Sequence, residues 1–441
     1  MNPAKKIHQD LNSAIEYVMK NKEYFVQNPK TDFIRNRKLT LDKTIKLILS
    51  MQGGTLNKEL CDFGKIHKVE ATSSAFVQQR SKLSSYTFKI ILNRFNQLSS
   101  DKLNYRGYHM WAVDGTDVNH FRDPSSECFV TSKAFPYGYN QTHVSAIYDV
   151  CNKTYLDVFL QPRNKMDERA ALIAMLKRNA FSGKNILTLD RGYESYNLLA
   201  HLIHTDSLDF VLRVKQCHGA LKEIAELPME ELDRNISFEV CTTQTNEDKK
   251  LGRHFIQTGS KFGKPNSKKT AISKWDFSSP YRFEVRVVRF KINDDQYETL
   301  ITLLDKDKFS LKELKEIYHM RWGIETSFRE LKYVVGLINF HAKKEELVQQ
   351  EIYAAIVMYN YCARISACAE VKKRQPTKHA YKVNFTMAVH LCKTFYKTLQ
   401  ANFKQLIADI CKYTELVRPG RKDKRNIKHK RFVGFVYRVA A

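Results

Sequence analysis

The chain has 441 residues, 43 % of them hydrophobic and 27 % charged, which excludes a disordered or fibrous protein and leaves room for about two to four domains. Its 73 Lys and Arg against 47 Asp and Glu give a formal charge of +26, an excess that favours a polyanionic partner, either nucleic acid or an anionic membrane face. The membrane is the poorer choice, because no segment offers the ~18 uninterrupted apolar residues of a span and the best run, 352–368, is broken by Asn360 and Arg364.

Lys5 and Lys6 open the chain, but Glu16 and polar neighbours deny it the apolar stretch of a signal peptide. Residues 1–105 read as helical, with apolar positions at helix spacing in 41–51, 55–63, 73–83 and 85–95. Residues 1–100 alone carry 17 Lys and Arg against 8 Asp and Glu. The segment from Ala71 to Lys82 resembles the second helix of a helix-turn-helix, capped by Thr72 or Ser73, with Gln78, Gln79, Arg80 and Lys82 facing a DNA groove. A solvated helix in a small bundle is the alternative.

From residue 106 the pattern changes. A short apolar strand over 109–113 ends in Asp114-Gly115-Thr116. Strands over 144–150 and 154–160 flank a turn at Asn152-Lys153, and a helix covers 167–179. Then come a strand over 185–189 ending in Asp190-Arg191-Gly192-Tyr193, a helix over 196–203 and a strand over 209–214. Strands followed by helix–strand alternation indicate an α/β sheet with mixed pairing. Residues 221–305 break the alternation with β-rich runs at 236–241, 281–291 and 299–304 and a Gly- and Lys-rich linker at 259–269, as a β insertion would. Helices return at 310–335 and 347–371, and the tail over 418–431 has eight cations to one acid, so it is read as a DNA contact.

The nine cysteines are scattered without a CxxC pair, which argues for reduced thiols in a cytosolic compartment. Cys217-His218 and the His201/His204 pair lack second pairs at zinc-site spacing and are read as surface or core residues.

The helix beginning at Ser310 carries the most chemistry. Ser310 and Glu313 form a capping box. At 100° per residue Tyr318, Arg321, Glu325 and Lys332 fall in one stripe about 60° wide, which Arg329 joins. Ile317, Ile324, Phe328, Leu331 and Val335 form the adjoining apolar stripe. Glu325 is thus the one acid in a line of cations, which hold it ionised and able to ligate a hard cation, while the flanking cations, Arg329 among them, contact DNA phosphates. An ordinary surface helix with a Glu325–Arg329 ion pair is the bland alternative. Asp114 and Asp190 each end an apolar strand before a Gly-containing turn, where catalytic groups of α/β sheets collect, and Asp117 competes with Asp114 for that role.

Asp114-Gly-Thr, Asp190-Arg-Gly-Tyr and the spacing Tyr318-x2-Arg321-x3-Glu325-x6-Lys332 together resemble the DDE transposases of bacterial insertion sequences, in the YREK-motif subgroup of insertion-sequence family four. The resemblance covers about residues 30–431. It implies a ribonuclease-H-like catalytic core interrupted by a β-rich insertion, with an all-helical N-terminal DNA-binding domain and a basic C-terminal tail. The corresponding boundaries are 1–105 for the helical domain, 106–220 and 306–375 for the core, 221–305 for the insertion and 376–441 for the C-terminal helical region and tail.

It also implies that Asp114, Asp190 and Glu325 are catalytic and hold two Mg²⁺ ions, with Mn²⁺ a substitute. Tyr318, Arg321 and Lys332 would bind phosphates near the transposon end and Trp322 would pack beside the site. The implied reaction is cut-and-paste transposition at terminal inverted repeats and target DNA, by a homodimer in a bacterial, cytoplasmic, nucleoid-associated setting. A non-transposing metal-dependent endonuclease and a catalytically silent DNA-binding regulator are the alternatives. One departure stands out. Some relatives stack a Trp of the last insertion strand on a base flipped during hairpin formation; here Tyr297 offers the only aromatic face over 297–302, and Trp275 is expected in the core.

Overall fold

The computed structural model describes residues 2–35, 37–99, 103–133, 135–215, 219–258, 274–293, 296–371, 380–398 and 402–417. The expected tail contact at 418–431, the linker at 259–269 and Cys217-His218 lie outside them.

Helices α1 (Pro3–Lys20), α2 (Leu41–Ser50), α3 (Leu56–His67), α4 (Ser73–Arg80) and α5 (Tyr86–Leu98) open the chain. Asn2, Thr40, Thr55 and Thr72 cap the first four by accepting from the backbone N–H two or three residues on, which satisfies donors the helix leaves unpaired. Their apolar faces do not close on one another as a separate body. Leu11, Ile45, Phe76 and Phe95 share one core with residues of a long C-terminal helix, α12 below, such as Ile352 and Ile356.

The central sheet is built from β1 (His109–His120), β2 (Phe129–Ser132), β3 (Phe135–Asp149), β4 (Thr154–Pro162), β5 (Asn185–Leu189), β6 (Leu208–Val214), β7 (Leu232–Cys241), β8 (His254–Phe255), β9 (Tyr281–Asn293) and β10 (Gln296–Thr302). The strand order is β2-β3-β1-β5-β6-β10-β9-β7-β8, with β4 also paired to β3. β1 runs antiparallel to β3 and parallel to β5, β5 is parallel to β6, and β10 returns antiparallel on β6. The residues expected as an insertion therefore extend the main sheet instead of forming a separate one.

Helices α6 (Glu168–Arg178), α7 (Tyr196–Ile203), α8 (Lys222–Ala225) and α9 (Asn246–Lys250) intervene between strands. Alternation along β1 assigns the faces: Val113 joins the core with Leu172 of α6 and Leu199 of α7, and Ala112 joins the core with Tyr148 and Ile324 on the other side.

That other face is covered by α10 (Leu311–Met320), α11 (Trp322–Glu330), a π-turn over Leu331–Val335, and α12 (Glu345–Ala367). Asn360, one of the two polar breaks in the apolar run, is fully buried. Its amide accepts from Tyr155 N–H at 2.7 Å and donates to Tyr155 C=O at 2.8 Å, splicing α12 to the backbone of β4. A buried amide is tolerated there because both of its ends are paired. Helices α13 (Phe385–Lys397) and α14 (Phe403–Lys412), with the short ladder of β11 (Tyr381–Val383) and β12 (Thr414–Leu416), complete the described chain. Among the described residues no helix is long and apolar enough to cross a membrane.

Two elements depart from expectation. β1 does not end at Asp114; it runs through Gly115 to His120, paired with β3 all the way. Asp-Gly reads as a turn from sequence, but here Gly115 serves a close approach. A Cβ on it would come within 2.3 Å of Glu168 Oε1 and 2.4 Å of His143 Nε2. The helix expected over 310–335 is likewise not one regular helix. It tightens at Arg321, whose N–H bonds to Tyr318 C=O and whose C=O accepts from Ile324 N–H, both at 3.1 Å. It then widens into the π-turn that holds Lys332.

Candidate active site

The parallel register of β1 and β5 sets the site. Ala112 lies opposite Thr188, so Asp114, midway along β1, and Asp190, just past the end of β5, fall side by side two residues further along adjacent strands. The tightened turn at Arg321 places three side chains of the 318–325 stripe over them. The Arg321 guanidinium, 4 % exposed, has Nη1 3.5 Å from Asp114 Oδ2 and Nη2 2.8 Å from Glu325 Oε1. The Tyr318 hydroxyl donates to Asp190 Oδ1 at 3.4 Å. Glu325 thus takes Arg321, one turn back, as its partner, where the bland reading expects Arg329. Arg329 is exposed.

Burial pushes the Asp114 carboxyl up to about 6. The Gly115 N–H and Arg321 pull it down, and the nearby charges of Glu325 and Glu168 raise it further. Burial likewise raises the Tyr318 hydroxyl and lowers the Lys332 ammonium, the latter opposed by Asp117. Three carboxylates from two strands and a helix are an all-oxygen donor set suited to a hard divalent cation. Among the described residues, no three His, Cys, Asp or Glu side chains stand close enough to share one ion as they are. The observation that fits a cation is the guanidinium itself, which draws Asp114 and Glu325 toward one positive centre.

Asp117 is engaged elsewhere. His143 Nδ1 lies 2.7 Å from its Oδ1, Arg163 Nε lies 3.0 Å from its Oδ2, and His143 Nε2 lies 3.0 Å from Glu168 Oε1. Burial pulls the imidazole down, but its bonds to Asp117 and Glu168 prevail and push it up to about 9. No sequence pattern announces this cluster. The cross-strand register of β1 and β3 creates it, and the only trace in the sequence is a polar run, Asn140 to His143, inside an otherwise apolar strand.

The other expected site residues are dispersed. Trp322 is 44 % exposed and stacks under the Arg321 guanidinium, whose carbon is 5.2 Å from the ring centroid. Tyr297 lines a cleft of about 360 Å³ with Arg191, Arg213, Lys215 and Gln296, next to Asp190. Trp275 packs among Phe277, Tyr281 and Phe283. Two residues expected to face a DNA groove do not. The Gln79 amide donates to Leu39 C=O at 2.9 Å, and Arg80 is fully buried against Gln350, Glu351 and the Leu347 carbonyl. The physical reason is that α4 turns its 76/79/80 side inward, where Gln79 ties to the segment before α2 and Arg80 reaches across to α12. Lys82 is half-buried with its ammonium 5.7 Å from the Phe33 ring centroid, and Gln78 stays exposed.

A family profile described as a transposase DDE domain matches residues 107–361, more than half of the chain. The chain is 23 % identical over 371 residues to transposase InsG of insertion sequence element IS4 from Escherichia coli K12, covering 80 % of this chain and 74 % of that one. It is 32 % identical over 90 residues to the transposase of insertion sequence element IS421 from Escherichia coli, covering 20 % and 24 %. A solved piggyBac transposase synaptic complex with hairpin DNA aligns with a TM-score of 0.44 at 12 % identity over 95 % of this chain and 84 % of that one. With the acids of two strands and the Tyr318–Glu325 stripe meeting inside the matched segment, the chain belongs to the DDE transposases, alongside the IS4 insertion-sequence relatives.

Proposed function

We propose that this protein binds the terminal inverted repeats of its insertion sequence and carries out cut-and-paste transposition, with Asp114, Asp190 and Glu325 as the metal-holding acids. The single observation that carries the reading is the meeting of Asp114 and Glu325 on Arg321 while Tyr318 reaches Asp190. A strand order of β4-β3-β1-β5-β6, antiparallel and then parallel, supports a ribonuclease-H-like core with the two aspartates on adjacent strands.

When held by the three carboxylates, two Mg²⁺ ions (or Mn²⁺) supply Lewis acidity to the attacking and leaving oxygens of a phosphodiester. The chain's own residues do the rest. Arg321 and Tyr318 orient the carboxylates and lie beside the scissile phosphate, to which the guanidinium presents its positive charge. Lys332 adds a point charge from the π-turn, and Trp322 shields one side of Arg321. The basic helical layer holds the DNA ends, and two protomers act together across the synapse.

The test is incubation of the purified protein with its element's end DNA and Mg²⁺. Nicked ends followed by joined products are expected, and Glu325→Ala should abolish cleavage while end binding persists. Nicks that never proceed to joined products would indicate a plain endonuclease, and binding without any nick a regulator. Undiminished cleavage by the Glu325 variant would remove that residue from the assignment.

A further inference from the structure

His143 is 5 % exposed at its side chain, and it bridges two carboxylates that already have other means of support. Asp117 also pairs with Arg163 at 3.0 Å, and Glu168, in the first turn of α6, is partly open to water. For Asp117 the imidazole is the stronger partner and Arg163 the weaker, and burying the ring carries a desolvation cost. What the histidine alone does is tie the two acids together across Gly115. Asp117 and His143 are direct partners across the β1–β3 pair, so the ring lies where residue 115 would carry a side chain. Gly115 in turn donates its N–H to Asp114 Oδ1 at 2.8 Å.

We propose that His143 is a positioning residue of the cleavage reaction: it holds Glu168 against Gly115 and so fixes the peptide that aims Asp114 at Arg321 and Glu325. The inference rests on the reading of Asp114 as a metal-holding acid. It assigns a role to Gly115, Asp117, His143 and Glu168 that the family's acid triad does not cover. The Asp114 carboxylate accepts from its neighbour's amide, so any shift of that peptide moves the carboxylate with it. Residues that orient a ligating group in this way commonly change metal affinity or activity by about 10- to 100-fold when removed.

The experiment is a Mn²⁺ titration of the full chain with end DNA, reading free Mn²⁺ by its paramagnetic resonance signal, beside a cleavage assay and a thermal melt. His143→Ala and Glu168→Ala should each bind end DNA as the parent does. Both should weaken Mn²⁺ binding and slow cleavage by about 10-fold or more. Imidazole added to the His143→Ala protein should recover part of both losses. Should His143→Ala fail to fold, Glu168→Ala decides alone, since its side chain is partly open to water at a helix terminus.

Asp114→Asn separates the two layers of the argument. If it weakens Mn²⁺ binding while the folded His143 and Glu168 variants match the parent, the positioning role is overturned and the Asp114 reading survives. If Asp114→Asn itself leaves Mn²⁺ binding unchanged, both fall.

Discussion

Arg80 of α4 and Glu351 of α12 form a buried ion pair, with Nη1 2.6 Å from Oε1 and side chains 0 % and 9 % exposed. The guanidinium also reaches Gln350 Oε1 at 3.3 Å and the Leu347 carbonyl at 2.9 Å, while the second Glu351 oxygen accepts from His341 N–H at 2.7 Å. Both charges are therefore fully engaged at the junction between the N-terminal helices and the core. Removing one leaves the other buried without compensation, which typically costs ~3–5 kcal/mol. Arg80→Ala should lose stability on that scale in urea unfolding. The double variant with Glu351→Ala should recover part of the loss, as a double-mutant cycle will show. An Arg80→Ala protein of parental stability would mean that the pair does not hold the junction.

The same pair predicts a pH dependence. Burial alone would raise the Glu351 carboxyl, but Arg80 and His341 hold it at about 2, below its ordinary value of 4.5. A carboxylate depressed in the folded state binds fewer protons there than in the unfolded chain. Its contribution is thus complete above about pH 4.5 and is lost as the pH falls toward 2. Unfolding free energy measured from pH 6 downward should fall through that window. The Glu351→Gln protein, starting lower, should show a shallower fall there.

The regular elements were legible because their spacing is local. The strand Asn185–Leu189 and the helix Tyr196–Ile203 follow from apolar runs bounded by turn residues. Less of α1 was legible by periodicity alone, although Asn2 and Pro3 make a good helix start and Leu11, Ala14, Ile15 and Val18 give its buried face. The strand through Gly115 was not legible. Local chemistry favours a turn at Asp-Gly, and only the cross-strand neighbours His143 and Glu168 explain an extended glycine. Arg80 failed for a related reason: a cation on a short polar helix reads as facing a DNA groove or solvent until its long-range partner, 271 residues away, is known. At the site, the spacing of Tyr318, Arg321 and Glu325 was legible as one helical stripe, but the tightened turn at Arg321 and the π-turn at Lys332 depend on packing against the sheet.

Lys332 sits half-buried in the π-turn, its ammonium lowered by burial and supported by Asp117. If it meets a DNA phosphate there, Lys332→Ala should weaken end binding about equally for matched and unrelated DNA. It should also make the slope of log K against log salt shallower by roughly 0.9, the release of one counterion. Fluorescence anisotropy across a salt series reads both. An unchanged slope would place Lys332 off the DNA, with a purely structural tie to Asp117.

Tyr297 tests whether the excised ends pass through a hairpin. It lies in register with Lys291 on β9 and lines a cleft with Arg191, Arg213, Lys215 and Glu298, so an aromatic face stands beside three cations and one acid. Stacking an extruded base on such a face is worth about 1–3 kcal/mol, and it needs the ring rather than the hydroxyl. Tyr297→Ala should leave the first nick at parental rate and deplete hairpin ends by roughly 10-fold or more, as that stacking energy is lost. Tyr297→Phe and Tyr297→Trp should keep the hairpins. Denaturing gels of end-labelled DNA resolve nick, hairpin and joined product in one time course. Hairpins at parental yield from Tyr297→Ala, or none from the parent itself, would show that the cleft serves another strand or that the ends are joined without this intermediate.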